Sequence, residues 1–138
     1  MDLSEKTLAK FSDSLGRAEA NAEFLSLFYA KFLAASPEVE QKFEGVDMRR
    51  QARMLMGSMR LILLASQGDQ GAKAQLESVA AKHSKSQADI QPELYDLWID
   101  TLIETVEEID PEFTLGVKQA WRDVMNFGVR CLKGGYDK

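Results

Sequence analysis

Cysteine is almost missing from this chain: Cys131 is the only one in 138 residues. A single thiol excludes an internal disulfide, a cysteine-rich zinc site and an iron–sulfur cluster held by this chain alone. Positive charge is in deficit, with 17 Lys and Arg against 22 Asp and Glu and a net charge of −5. That balance argues against a general nucleic-acid or anionic-membrane partner, because both require a basic footprint. No apolar run approaches the roughly 18 residues of a membrane span. The start, Met1-Asp2-Leu3-Ser4-Glu5-Lys6, is polar and carries no signal-peptide pattern. A cytoplasmic protein is expected. Histidine is as scarce as cysteine: His83 stands alone.

What is present is helical period. The composition is 45% hydrophobic and 28% charged, too apolar for disorder, and the length suits a single domain over 1–138. Ser4 is a candidate N-cap for a first helix carrying Leu8, Phe11 and Leu15 and ending near Gly16. A second runs from about Glu19 to Ala35. Phe24, Leu27, Phe28, Ala30, Phe32 and Leu33 predict burial on more than one side. Ser36 caps a short piece from Glu38 to Phe43, with Pro37 suited to the first helical position. After a turn at Glu44-Gly45-Val46, Asp47 caps a helix reaching about Gln67, with Met48, Ala52, Leu55, Met59, Ile62 and Leu63 on one face. Gly68-Asp69-Gln70-Gly71 reads as a loop, and a helix from about Ala72 to Lys85 follows. Pro92 opens the next, striped by Tyr95, Trp98, Ile99, Leu102, Ile103 and Val106, and Asp110-Pro111 ends it. The last is expected from Pro111 to Lys133, its buried side formed by Phe113, Val117, Ala120, Trp121, Val124, Phe127, Gly128 and Cys131. Strand alternation is scarce. The fold class is all-α, with about seven helices.

His83 closes an apolar face. Leu76, Val79, Ala80 and His83 follow the spacing i, i+3, i+4, i+7, which puts all four on one side of a helix. An inward-facing histidine is either a satisfied core residue or a metal ligand. The residues themselves leave both readings open.

An ordered set of further residues resembles the globins, in particular the bacterial single-domain haemoglobins and the haem domain of flavohaemoglobins. The set comprises Phe28-Tyr29 in the second helix, Ser36-Pro37-Glu38-Val39 followed by Phe43, then Gln51 and Leu55, then His83, Ile90, Tyr95 and Trp121. The resemblance spans nearly the whole chain and implies a globin fold around a haem pocket. The cofactor it implies is non-covalent haem b (iron protoporphyrin IX), since the sequence has no C-x-x-C-H for covalent attachment. It implies His83 as the proximal iron ligand, with the Val79 carbonyl accepting from the other ring nitrogen and Leu76, Val79 and Ala80 beneath the haem. Tyr29 and Gln51 become the distal donors toward a gas that gains negative charge on binding. Phe43, Leu55, Tyr95 and Trp98 become haem-pocket residues. For Tyr29 the plainer alternative is a core tyrosine bonded to a backbone group. For Gln51 it is a surface residue, with a one-residue slip bringing in Arg50 or Met54.

The chain also departs from the family. The glutamate that flavohaemoglobins carry near the proximal histidine falls here near Tyr136, and no acidic residue stands there. A strong push toward O–O chemistry is therefore not expected. Trp98 stands where relatives often have a smaller aliphatic residue, either as core packing or as a plug in the cavity. Met48, Met54, Met56 and Met59 share one helix and read as adaptable filler, a Met48 or Met54 sulfur near the iron being the alternative. No reductase or output domain is present in the sequence, so redox turnover would require an external reductase. The expected function is reversible binding of O2, and of NO or CO, at a five-coordinate iron, with no catalytic residue assigned. The alternatives are NO dioxygenation with an outside electron donor, and gas sensing through a partner protein.

Overall fold

The computed structural model describes residues 3–82 and 93–134. Among them are seven α-helices and no strand: α1 (Glu5–Ala20), α2 (Phe24–Ala35), α3 (Pro37–Lys42), α4 (Met48–Ser66), α5 (Gln70–Lys82), α6 (Glu93–Ile109) and α7 (Leu115–Gly134). No described helix is long and apolar enough to cross a membrane. The expectation of an all-α chain with about seven helices holds among the described residues.

Side-chain caps place most of the helix starts. Ser4 Oγ accepts the Thr7 amide at 3.1 Å, Ser36 Oγ the Glu38 amide at 3.2 Å, and Asp47 Oδ1 the amides of Arg49 and Arg50 at 3.0 and 3.3 Å. Each oxygen satisfies donors that the first helical turn leaves open. Between α3 and α4 the chain turns at Gly45, whose φ of 73° lies in the left-handed region that glycine tolerates without strain.

Several boundaries differ from the sequence expectation. α1 does not stop at Gly16. Its buried face of Phe11, Ser14, Leu15 and Ala18 continues past the glycine, and packing on that face outweighs the roughly 1 kcal/mol that an interior glycine costs. The break falls instead at Asn21, whose Oδ1 accepts the Glu23 amide at 2.9 Å, so α2 starts at Phe24. α5 starts at Gln70, because Asp69 Oδ1 caps it through the Ala72 amide at 2.8 Å and Gly71 is drawn into the helix. α7 starts at Leu115, because Thr114 Oγ1 caps it through the Val117 amide at 3.1 Å, leaving Pro111 in a turn. The burial of α2 is also narrower than expected: Phe24, Phe28, Tyr29 and Phe32 fill one broad arc, and Ala30 is exposed.

α7 is the axis of the assembly and packs on α1, α4, α5 and α6, while α2 packs on α3 and α6. Its buried side carries Val117, Ala120, Trp121, Val124, Met125, Val129 and Leu132; Phe127 and Cys131, expected inside, are only partly buried. The Trp121 ring meets Phe11 edge-on at 4.8 Å and Phe24 at 6.4 Å, tying α7 to α1 and α2.

The same tryptophan ends a buried polar chain that the sequence did not signal. Trp121 Nε1 donates to Ser14 Oγ at 2.8 Å, and Ser14 Oγ donates to Asp110 Oδ2 at 2.6 Å. Arg17 grips the same carboxylate with two prongs, Nε to Oδ1 at 2.7 Å and Nη2 to Oδ2 at 3.0 Å. The Glu112 amide adds a donor at 2.9 Å. Burial alone would push the Asp110 carboxyl up, but these donors outweigh it and hold the group below its ordinary range. Asp110 thus locks the α6–α7 corner to α1.

Candidate functional site

A cavity of about 250 Å³ opens among the helices, and its lining can be read helix by helix. α4 contributes Gln51, Leu55, Ser58 and Ile62, which follow i, i+4, i+7, i+11 along one face, together with Met54 at an exposed edge. α5 contributes Leu76, Val79 and Lys82. Tyr29 and Phe32 come from α2, and Val39, Lys42 and Phe43 from α3 and its C-terminal residue. α6 supplies Leu94, Tyr95 and Trp98, and α7 supplies Leu132. Among the described residues the lining is mainly apolar, and its charged members are Lys42 and Lys82.

Aromatic packing holds the α2–α3 side. Phe28 stacks on Phe32 at 5.3 Å and meets Tyr29 edge-on at 4.9 Å. Phe43 closes the cluster with edge contacts to Tyr29 at 5.8 Å and Phe32 at 6.2 Å. Tyr29 is thereby fixed in direction by two rings, and its hydroxyl donates to the Gln51 main-chain carbonyl at 3.4 Å. Burial pushes the Tyr29 phenol up to about 12, the Gln51 side chain acting in the opposite sense. Burial likewise pushes Tyr95 to about 12. Both are neutral phenols near pH 7, so each keeps a proton to donate.

Of the residues singled out from sequence, Tyr29, Phe43, Gln51, Leu55, Leu76, Val79, Tyr95 and Trp98 all line this one cavity. Ala80 does not. It is buried in α5, which packs on α4 and α7, and its methyl group is not part of the lining. His83 lies outside the described residues, as do Ile90 and Tyr136. Trp98 is partly buried, packs against the core and also lines the cavity. Of the methionines, Met54 borders the cavity, Met59 is fully buried, and Met48 and Met56 pack partly buried against the core.

Ser58, Ile62, Lys82 and Lys42 were not anticipated. Ser58 and Ile62 continue the Gln51–Leu55 stripe at helical spacing and were legible there. Lys42 and Leu132 reach the cavity only through the tertiary arrangement and have no local signal.

Residues 26–129 match the family model described as Globin. Among solved structures, the chain is similar to a Pseudomonas aeruginosa PAO1 protein described as structurally highly homologous to a human haemoglobin. The two share 35% sequence identity with a TM-score of 0.92, over 96% of this chain and 99% of that one. No curated protein matches the chain. With the family pattern covering most of its length and the similarity running almost from end to end, this chain belongs to the globin family.

Proposed function

We propose that this globin holds haem b in the cavity between α4 and α5 and binds O2, and other diatomic gases, reversibly at a five-coordinate iron. The observation that carries the reading is one apolar cavity lined by a Tyr29–Gln51 pair on the α2 and α4 side and by Leu76 and Val79 on α5. The residues fit such a cofactor. Leu55, Ile62, Leu76 and Val79 offer an apolar slot, and Lys42 and Lys82 suit the carboxylates of iron protoporphyrin IX. When bound, the haem supplies an iron with one axial position for a protein ligand and another for a gas.

His83 is assigned the axial ligand. It follows Lys82, the last described residue of α5, and no second histidine exists to compete with it. Phe43 and Leu55 exclude water from the cavity. Tyr29 and Gln51 orient donors toward a gas that becomes partly negative, and Tyr29 remains protonated well above neutrality. The direct test is the absorption spectrum of the purified protein in ferric, ferrous and CO-bound forms. A Soret band with a stable oxy form in air is expected. A protein that shows no Soret band after haem addition would exclude the reading.

The Tyr29–Gln51 pairing also favours a second reading, NO dioxygenation with an external reductase. Nitrate formed over many turnovers with a reductant would establish it; a single stoichiometric conversion would not.

A further inference from the structure

Gly128 lies buried on α7 where that helix packs against α4. A Cβ at this position would stand 2.6 Å from Ile62 Cδ1, 2.8 Å from its Cγ1 and 3.0 Å from its Cγ2. Ile62 is 1% exposed, yet it also lines the cavity. Leu132, one turn along α7 from Gly128, lines the same cavity. The missing side chain at 128 is therefore the space in which Ile62 rests, and Gly128 itself is not part of the lining.

We infer that Gly128 is a positioning residue: by leaving room for Ile62 against α7, it sets how far the α4 wall projects into the cavity and so how a ligand seats there. The nearest atom, Cδ1, is the end of the side chain, but two of the three obstructing atoms are not. Cγ1 and Cγ2 are bonded directly to the branched Cβ, and an isoleucine in a helix has essentially one χ1 rotamer. Turning the Cδ1 end alone therefore does not relieve the contacts with Cγ1 and Cγ2. A methyl at 128 either drives Ile62 into the cavity or parts α4 from α7. Both outcomes change the cavity, and neither involves a residue that touches the gas. Half-buried Gly116 shows the contrast: an added Cβ there would meet the Lys10 Nζ at 2.8 Å, the far end of a long side chain that can move away.

The inference rests on the haem reading for its kinetic readout but not for its structural one. The experiment compares wild type, Gly128→Ala, Ile62→Ala and the double variant. In Gly128→Ala, haem loss to a scavenger is expected to accelerate by roughly tenfold, the factor that ordinary overpacking strain gives. Ile62 itself lines the cavity, so the double variant is compared with Ile62→Ala: in that background Gly128→Ala should add no further acceleration, because Ile62→Ala removes all three atoms that the new methyl would meet. A crystal structure of Gly128→Ala should show the Ile62 side chain displaced toward the cavity or α4 shifted from α7. The inference is overturned if Gly128→Ala lowers thermal stability while haem loss and cavity shape stay unchanged, or if Gly128→Ala accelerates haem loss as much in the Ile62→Ala background as in the wild type. If wild type bound no haem, the functional reading would fail, and the crystal structure of Gly128→Ala would still decide the role of Gly128.

Discussion

The Tyr29 hydroxyl donates to the main-chain carbonyl of Gln51 across 3.4 Å. That is long against the roughly 2.7–2.8 Å of a favourable O–H···O bond. The proton is parked on α4, loosely, beside the residue expected to share its task. Turning it toward a bound gas forfeits little. We therefore expect Tyr29→Phe to leave haem retention near wild type and to speed O2 dissociation by about tenfold or more, as loss of a hydrogen bond to a charged acceptor implies. Stopped-flow displacement of O2 by CO measures it. An unchanged off-rate would place the hydroxyl permanently on the Gln51 carbonyl and remove it from the distal pair.

His83→Gly should lose haem on gel filtration. Added imidazole should restore the Soret band, because a small ligand can occupy the space left by the side chain. Rescue separates the loss of a ligand from the loss of the fold. A variant that keeps its haem and its spectrum without imidazole would refute the assignment.

Trp98 lines the cavity from α6 while remaining partly exposed. Trp98→Ala should raise the CO association rate severalfold by widening the entry. Its stability cost should fall below the roughly 3–5 kcal/mol of a fully buried tryptophan, since part of the ring is already in water. Flash photolysis gives the rate and urea unfolding the cost; an unchanged rate would make Trp98 a wall and not a gate.

Asp110 has a fully buried side chain paired to Arg17, which is 26% exposed. Asp110→Asn should cost about 3 kcal/mol, the lower end for breaking a buried pair, because Arg17 retains some water. The native carboxyl lies below its ordinary value of 3.8, so its contribution is full above that value and is lost as pH falls through the native one. Wild type and Asp110→Asn should therefore converge in urea midpoint below about pH 4. A constant gap down to strongly acid pH would show that the carboxylate charge is not what stabilises the corner.

The helices were legible because their signals are local. Ser4, Ser36 and Asp47 cap from one side of each start, and the α4 and α6 stripes repeat within a few turns. The starts that were misplaced turn on Asn21, Asp69 and Thr114, whose side chains bond amides two or three residues on. That chemistry was readable, but a neighbouring glycine or proline gave the louder signal. At the site, Tyr29, Gln51, Leu55 and Tyr95 could be picked out by their order along the chain, and they line one cavity. Ala80 was picked by helical spacing and by the resemblance, and it is not among the lining residues. Spacing identifies a buried face but not which part of that face meets a cavity and which part meets another helix.

By itself the sequence determined an all-α chain, a single candidate axial ligand in His83, and a set of residues ordered as in the globins. The all-α chain follows from composition and period, which act over a few residues, whereas the ligand reading of His83 and the ordered set are what the resemblance to the globins implies. Only the tertiary structure decided that Asp110 holds Ser14 and Arg17 from across 96 and 93 residues of chain, and that Ile62 rests on the bare backbone of Gly128. Those contacts exist because α7 packs at once on α1, α4, α5 and α6, and no local pattern encodes which faces a central helix will bring together.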